Sequence, residues 1–414
     1  MRVVRPTGGM APPRSVSCFI IAARMSTTPP PAQDAKQGAI HRLRAFWARL
    51  TEGFQLEQLW GQFKSEARAG YVLYSKDVDW EVIAREKSKF KRLLLSGWAL
   101  FQALLMKLSP ARRVLLVFAL LLMIFHPDVR WGNNEVNFDF VGVAAVILFL
   151  LLALELADRV TMKRDLEIAR EIQQWLVPSE PPQIPGMDIA FATRPQNTVA
   201  GDYYDAFLRS VPEAGAIKPS LLVVVADVAG KSVPAALLMA TFQSGLRALS
   251  STPATLDEIV VAMDRYARAH SLDGRRFTTA FLAEIDPETR AMRYINAGHN
   301  YPILRRASGS VERLETGGPP FGLPQFSDTE IVYASARVQL DPGDLLFIFT
   351  DGVAEAVNES GEEFGESRIL PAILSVPAGN AAVILNRVMS DVNTFVGYAR
   401  QHDDITALVL RIVP

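Results

Sequence analysis

Cysteine is almost missing from this chain: 414 residues contain one, Cys18, so an intrachain disulfide is excluded and a reducing compartment fits. Histidine is scarce as well. Five scattered histidines and a single thiol cannot build an ordinary zinc site, and His299 and His402 read as structural residues. Neither charge is in excess, since 43 Lys+Arg face 44 Asp+Glu, and nothing global points to nucleic acid. No apolar run reaches the roughly 20 residues that a transmembrane helix prefers. Two come close, Val114 to Phe125 and Phe140 to Leu154, and flanking residues such as Trp131, Phe138 and Leu156 can lengthen them.

The hydrophobic fraction of 49% is therefore concentrated locally, and the charge follows it. Between Lys36 and Arg113 there are 15 Lys+Arg against 7 Asp+Glu, while the loop His126 to Asp139 holds Arg130 against Asp128, Glu135 and Asp139. The expectation is a basic, mainly helical juxtamembrane region over 36–112 and a two-helix membrane hairpin over 113–156. By the positive-inside rule both flanks then lie in the cytoplasm, at the cytoplasmic membrane, with the basic surface against anionic lipid. The competing reading is a buried helical hairpin in a soluble domain. Residues 1–35, rich in Pro, Thr and Ala, are expected to be disordered, and Met25 is a candidate start of translation.

Over 157–186 the pattern becomes that of a linker. Met162, Leu166, Ala169, Ile172 and Leu176 form one stripe of a helix. Such a stripe packs on its own domain or pairs with a second copy as a stalk, which would make a homodimer. Pro178, Pro181, Pro182 and Pro185 then end it at a domain boundary. From 187 to 414 short strands alternate with a few helices: strands near Met187, Tyr203, Leu221, Thr278, Met292, Pro302, Leu345 and Ile405, helices over 234–249, 256–270 and 378–396. Leu221-Leu-Val-Val-Val225 and Leu345-Leu-Phe-Ile-Phe349 show no polar alternation, so both faces of those strands must be covered. The fold class expected is α+β, sheets stacked between helices.

Acids punctuate that region. Asp202 lies in Ala200-Gly-Asp-Tyr-Tyr-Asp205, Asp227 in Val223-Val-Val-Ala-Asp-Val-Ala-Gly230, Asp351 follows Leu345 to Thr350, and Asp403-Asp404 opens the last strand. Alone, each would be an ordinary turn former. Together at one sheet edge they would repel strongly unless cations sat among them. Carboxylates with no soft ligand suit Mg2+ or Mn2+. Two such ions, roughly 3.5–4 Å apart, lower the pKa of a water and clamp a phosphate for in-line attack, which points to phosphate ester hydrolysis.

Gly201-Asp-Tyr-Tyr-Asp205, Ala226-Asp-Val-Ala-Gly-Lys-Ser-Val-Pro-Ala-Ala-Leu-Leu-Met239, Asn296-Ala-Gly-His-Asn300, Thr316-Gly-Gly-Pro-Pro-Phe-Gly-Leu323, Pro342 to Val353 and Asp403-Asp-Ile-Thr406 stand in order. This series resembles that of the SpoIIE-type branch of the metal-dependent (type 2C-like, PPM) serine/threonine protein phosphatases. The resemblance implies a PPM-type β-sandwich over 187–414 and two divalent cations, Mn2+ or Mg2+. Asp227 would bridge both ions with the Val228 carbonyl as a second ligand, Asp351 and Asp403 or Asp404 would complete one, and Asp202 or Asp205 would serve the other. Asp227 and Asp351 then act catalytically through the activated water; no arginine is placed by motif to hold the substrate phosphate, and Arg194 is a candidate for that role. The chain departs from the pattern at Ala200, where a methyl would be costly if φ were positive, and at Ser232, which would improve a helix cap. The implied substrate is a phosphorylated anti-anti-sigma factor of STAS type in a partner-switching pathway. The alternatives are a catalytically weak membrane-tethered scaffold that binds a regulatory partner, and an enzyme for a small-molecule phosphate.

Overall fold

Residues 88–125 and 140–414 are described by the computed structural model, apart from 214–215, 272–275, 325–330 and 377–378, with residues 78, 80–84, 130–131 and 134–135 besides. The expected disorder over 1–35 and most of the basic region lie outside the described residues. The chain divides into two units, Met1–Leu151 and Leu152–Pro414.

In the first unit, helix α1 (Lys89–Lys107) begins where Ser88 Oγ accepts the Lys91 N–H at 3.5 Å. Helix α2 (Pro110–Ile124) carries proline at its first position, where no amide is lost. The corner between them is closed by Arg113, which donates to the carbonyls of Leu105, Met106 and Leu108 at 3.1–3.2 Å. Helix α3 (Phe140–Leu176) runs 37 residues without a break, from the apolar run into the linker stripe. It contains a window of mean hydropathy 2.7, long and apolar enough to cross a membrane, and almost none of that window is buried in the protein. That exposure argues against the buried-hairpin alternative for α3, because a core helix hides its apolar face. At 15 residues α2 is shorter than such a span.

The second unit is built from eleven named strands and five helices that follow α3. In chain order they are β1 (Met187–Arg194), β2 (Tyr203–Glu213), β3 (Ala216–Val228), α4 (Ser232–Ser250), α5 (Leu256–Ala269), β4 (Thr278–Ile285), β5 (Ala291–Ala297), β6 (Ile303–Arg305), β7 (Val311–Arg313), β8 (Gly317–Gly318), β9 (Ala336–Gln339), β10 (Leu345–Phe349), α6 (Asp351–Ala354), α7 (Glu366–Leu374), α8 (Ala381–Val396) and β11 (Ile405–Ile412). One sheet has the order β8-β5-β4-β3-β2 with β9 also on β5, and the other β1-β11-β10-β6-β7. All pairings are antiparallel except β8 with β5.

Strand parity sets the layers. Val223 and Val225 of β3 and Leu346 and Ile348 of β10 point into one core between the sheets. Leu222, Val224 and Ala226 turn the other way, against Met239, Phe242 and Leu246 of α4 and Ile259 of α5. Leu345, Phe347 and Phe349 turn outward against Ile384, Val388 and Val392 of α8. Both faces of each sheet are thus covered, which is why β3 and β10 show no polar alternation. The α+β sandwich expected from sequence is the fold observed. Helix α5 starts with a full capping box between Thr255 and Glu258, and α8 with Asn380 accepting the Val383 N–H at 2.8 Å.

Ser232 is not the cap anticipated from the sequence. Lys231 occupies that position, and Ser232 is the first residue of α4 with φ 63, in the left-handed region that favours glycine. Its hydroxyl receives the Asn197 side-chain N–H at 3.3 Å, a weak contact. Ser232→Gly is therefore expected to leave stability unchanged or raise it by up to about 1 kcal/mol, as measured by denaturant unfolding. A loss of more than that amount would mean that the strain is compensated elsewhere.

Candidate active site

The acids come from four chain segments that end at the same edge of the sandwich. Asp227 is the penultimate residue of β3, opposite Thr279 of β4, and by parity it follows Val223 and Val225 onto the inter-sheet side. Asp202 directly precedes β2, Asp351 opens α6 after β10, and Asp403-Asp404 precede β11. Asp202 is almost fully buried, and its Oδ2 accepts the Thr350 hydroxyl at 2.9 Å. Thr350 in turn accepts the Thr406 N–H at 3.1 Å, and Thr406 shares a hydroxyl bond with Thr193 at 2.9 Å. This threonine chain across β1, β11 and the end of β10 fixes one wall of the site. The sequence gives only a hint of it, because Thr350 and Thr406 stand inside the quoted motifs at inward-facing positions.

The electrostatics show that the acids are neighbours. Burial pushes Asp202 well above the ordinary carboxylate range, and the charges of Asp227 and Asp404 push it further. Burial raises Asp227 to about 7, aided by Asp351, Asp403 and Asp404. Asp351 is raised to about 6, by burial and then by Asp403 and Glu355. Lys231 stands at the rim with its Nζ 2.9 Å from Asp403 Oδ2. Among the described residues no three acid, histidine or cysteine side chains meet as a finished metal cage. What the structure shows is a set of mutually repelling oxygens in a half-buried place.

This has a consequence for pH. Asp227 and Asp351 bind protons more tightly in the folded protein than at the unfolded value near 4, so the stability they contribute is present at low pH and lost as the pH rises through about 6 and about 7. Protein stripped of divalent ions should melt higher at pH 6 than at pH 8, by about 5 °C. A flat or opposite profile in calorimetry would show that the two carboxylates are not held close together.

The remaining expected site residues divide. Val228 is buried, and its carbonyl oxygen lies against Gly201, 3.1 Å from where a Cβ on that glycine would stand. Asp404 uses both oxygens on backbone: Oδ1 accepts the Gln196 N–H and Oδ2 the Gly201 N–H, each at 2.6 Å. It pins the loop before Asp202, whereas Asp403 is half-exposed and turned to Lys231. Gly352 must be glycine because a Cβ there would sit 1.9 Å from the Asp404 carbonyl oxygen. Ala200 is not among the positive-φ residues, so its methyl carries no backbone cost.

Asp205 is a correction. It faces α4, where both its oxygens are taken by Arg247 at 2.8 Å, with the Tyr203 hydroxyl at 2.5 Å and the Ala206 N–H at 2.9 Å also donating to it. The alternation of β2 puts residue 205 on the face opposite to residue 204, so it has no free oxygen for an ion and does not join the acid cluster. Arg194 ends β1 and lines a recess of about 140 Å³ with Lys231, Gly352, Glu355, Gln401 and Asp403. Its guanidinium donates to Asn393 Oδ1, and its buried Nε has no hydrogen-bond partner among the described residues. His299 is buried, shares a hydrogen bond with Thr279 Oγ1 at 3.0 Å and is held neutral by burial, its pKa lowered to about 4. It supports β4 beside Asp227.

Two stacked sheets covered by helices, with acids gathered at one edge, are the fold expected from the sequence, and comparison with known proteins agrees. Residues 218–413 match the family model described as Stage II sporulation protein E (SpoIIE). The chain is 28% identical over 313 residues to Protein IcfG of Synechocystis sp., covering 68% of this chain and 47% of that one. It is 28% identical over 251 residues to Phosphoserine phosphatase RsbU of Bacillus subtilis, covering 60% of this chain and 70% of that protein. The solved SiaA-PP2C domain of Pseudomonas aeruginosa aligns with TM-score 0.51 at 21% identity, over 62% of this chain and 98% of that domain, which shows the shared fold. This chain thus spans about half the length of Protein IcfG.

Proposed function

We propose that the region 187–414 is a metal-dependent phosphoserine/phosphothreonine protein phosphatase. The observation that carries this reading is the meeting of Asp202, Asp227, Asp351 and Asp403 at one sandwich edge, where their charges act on one another. The similarity to a phosphoserine phosphatase supports the substrate class. The donor set fits Mn2+ or Mg2+: carboxylate and carbonyl oxygens, no thiol, and clustered negative charge with Lys231 as the cation at its rim. Asp227, Val228, Asp351, Asp403 and Asp202 would hold two such ions. When bound, the ions supply a water acidic enough to attack near neutral pH and offset the phosphate charge.

The chain's own residues do the rest. Thr350 and Asp404 hold Asp202 and its loop in place, and the recess beside Asp403 presents Arg194 and Lys231 to an arriving phosphate. Arg194→Ala should lower kcat/KM by about 10- to 100-fold, mostly through KM, since a charge-assisted hydrogen bond contributes about 1.5–3 kcal/mol. An unchanged KM for a phosphoserine peptide would remove Arg194 from the phosphate subsite. We place the domains as drawn from the sequence: a basic region over 36–112, a membrane hairpin over 113–156, a linker over 157–186 and the catalytic domain in the cytoplasm. The substrate we favour is a phosphorylated anti-anti-sigma factor in a partner-switching pathway.

The alternative reading is a catalytically weak scaffold that binds a regulatory partner. Manganese titration with phosphopeptide turnover separates the two. Turnover that depends on Mn2+ supports the enzyme, and partner binding without either supports the scaffold.

A further inference from the structure

A paired hydrogen-bond contact ties the linker helix to the site loop. Gln173, on the last turns of α3, meets Ala200 with both ends of its side-chain amide: Nε2 donates to the Ala200 carbonyl at 2.7 Å, and Oε1 accepts the Ala200 N–H at 3.0 Å. Both residues belong to the second unit. A paired amide-to-backbone contact fixes position and orientation together, as a neighbouring strand would, and a buried Ala200 has no water to replace it. The next residue, Gly201, donates to Asp404 at 2.6 Å and lies against the Val228 carbonyl and Ala235, and the one after it is Asp202. Asp404 holds the other end of the same loop through the Gln196 N–H. The loop 196–202 is thus held from the site side by Asp404 and from the outside by Gln173.

We propose that Gln173 is a positioning residue for the acid site: by clamping Ala200 it sets where Asp202 and Asp404 stand, so the end of α3 is a working part of the site. The activity consequences rest on the phosphatase reading, whereas the clamp itself does not. A simple packing role fits the geometry less well, because Gln173 is half-exposed and both its polar ends are spent on one backbone unit. The neighbouring Val177 packs on the sandwich core and fixes the helix end, so Gln173 starts from a firm base.

The test uses the full chain in detergent micelles as wild type, Gln173→Leu and Gln173→Glu. Hydrogen exchange reads the amides of Gln196 and Gly201, which Gln173 does not touch, and calorimetry reads Mn2+ binding. In Gln173→Leu the two amides should exchange about tenfold faster and the Mn2+ Kd should rise about tenfold, with the amides of 221–226 unchanged. Gln173→Glu, which can accept from the Ala200 N–H but repels its carbonyl, should fall between and serves if the leucine variant folds poorly. Exchange at Gln196 and Gly201 within about twofold of wild type would overturn the proposal, and so would uniformly faster exchange including 221–226, which would make Gln173 a general stabiliser. If wild-type protein neither binds Mn2+ nor hydrolyses phosphopeptide, the phosphatase reading fails while the exchange data still decide the clamp.

Discussion

Asp227→Asn and, separately, Asp351→Asn should each reduce kcat/KM for Mn2+-dependent hydrolysis of a phosphoserine peptide by on the order of 10³-fold. Asparagine keeps the shape of the side chain and removes the charge that would hold the ions. Because each acid is raised by burial and by its acidic neighbours, the same change relieves repulsion. The variants should therefore melt no lower than wild type in metal-free buffer near pH 8. Loss of activity with retained or higher Tm is the expected pair of results. Activity surviving in either variant would end the metal-centred account, and activity lost together with Tm would point to a role in folding instead.

The largest effect on stability is expected at Arg247. Its guanidinium grips the fully buried Asp205 through two hydrogen bonds at 2.8 Å and lies 3.8 Å from the centre of the Phe207 ring. Truncation in Arg247→Ala leaves a carboxylate in the layer between sheet and helix with the Tyr203 hydroxyl and one backbone N–H as company. Breaking a buried pair from one side costs about 3–5 kcal/mol, and since Arg247 is 41% exposed the lower end, about 3 kcal/mol, is expected in urea unfolding. Asp205→Asn should cost less, because the charge left without its partner, that of Arg247, is 41% exposed and can be hydrated. Neither substitution should move the Mn2+ Kd by more than about twofold, as neither residue joins the acid cluster. A large rise in Kd for Asp205→Asn with normal stability would return Asp205 to the ion site.

Much of the catalytic region was legible in the sequence because strand-acid-turn units carry their own punctuation. Apolar runs such as 221–225 and 345–349 forced covered strands, and Thr278–Ile285 and Ile405–Ile412 fall where the pattern puts them. The choice between Asp202 and Asp205 is open in the sequence because Gly-Asp-Tyr-Tyr-Asp offers two acids three residues apart, and only the onset of strand pairing at Tyr203 decides which one turns inward. Short edge strands β7, β8 and β9 were missed, since two to four residues carry no periodicity. Helix α7 hid behind an internal proline, Pro371, near the end of a nine-residue helix. The work of Gln173, Thr193 and Asp404 depends on partners 27 to 213 residues away, and no local pattern signals contacts of that range.

The most direct test is a crystal of the 152–414 unit, or of the full chain, soaked in Mn2+ and measured at the manganese absorption edge. The account predicts two anomalous peaks, both beside Asp227, one reached by Asp351 and Asp403 and the other on the side of Asp202, with nothing at Asp205. Peaks elsewhere, or none at saturating Mn2+, would contradict it.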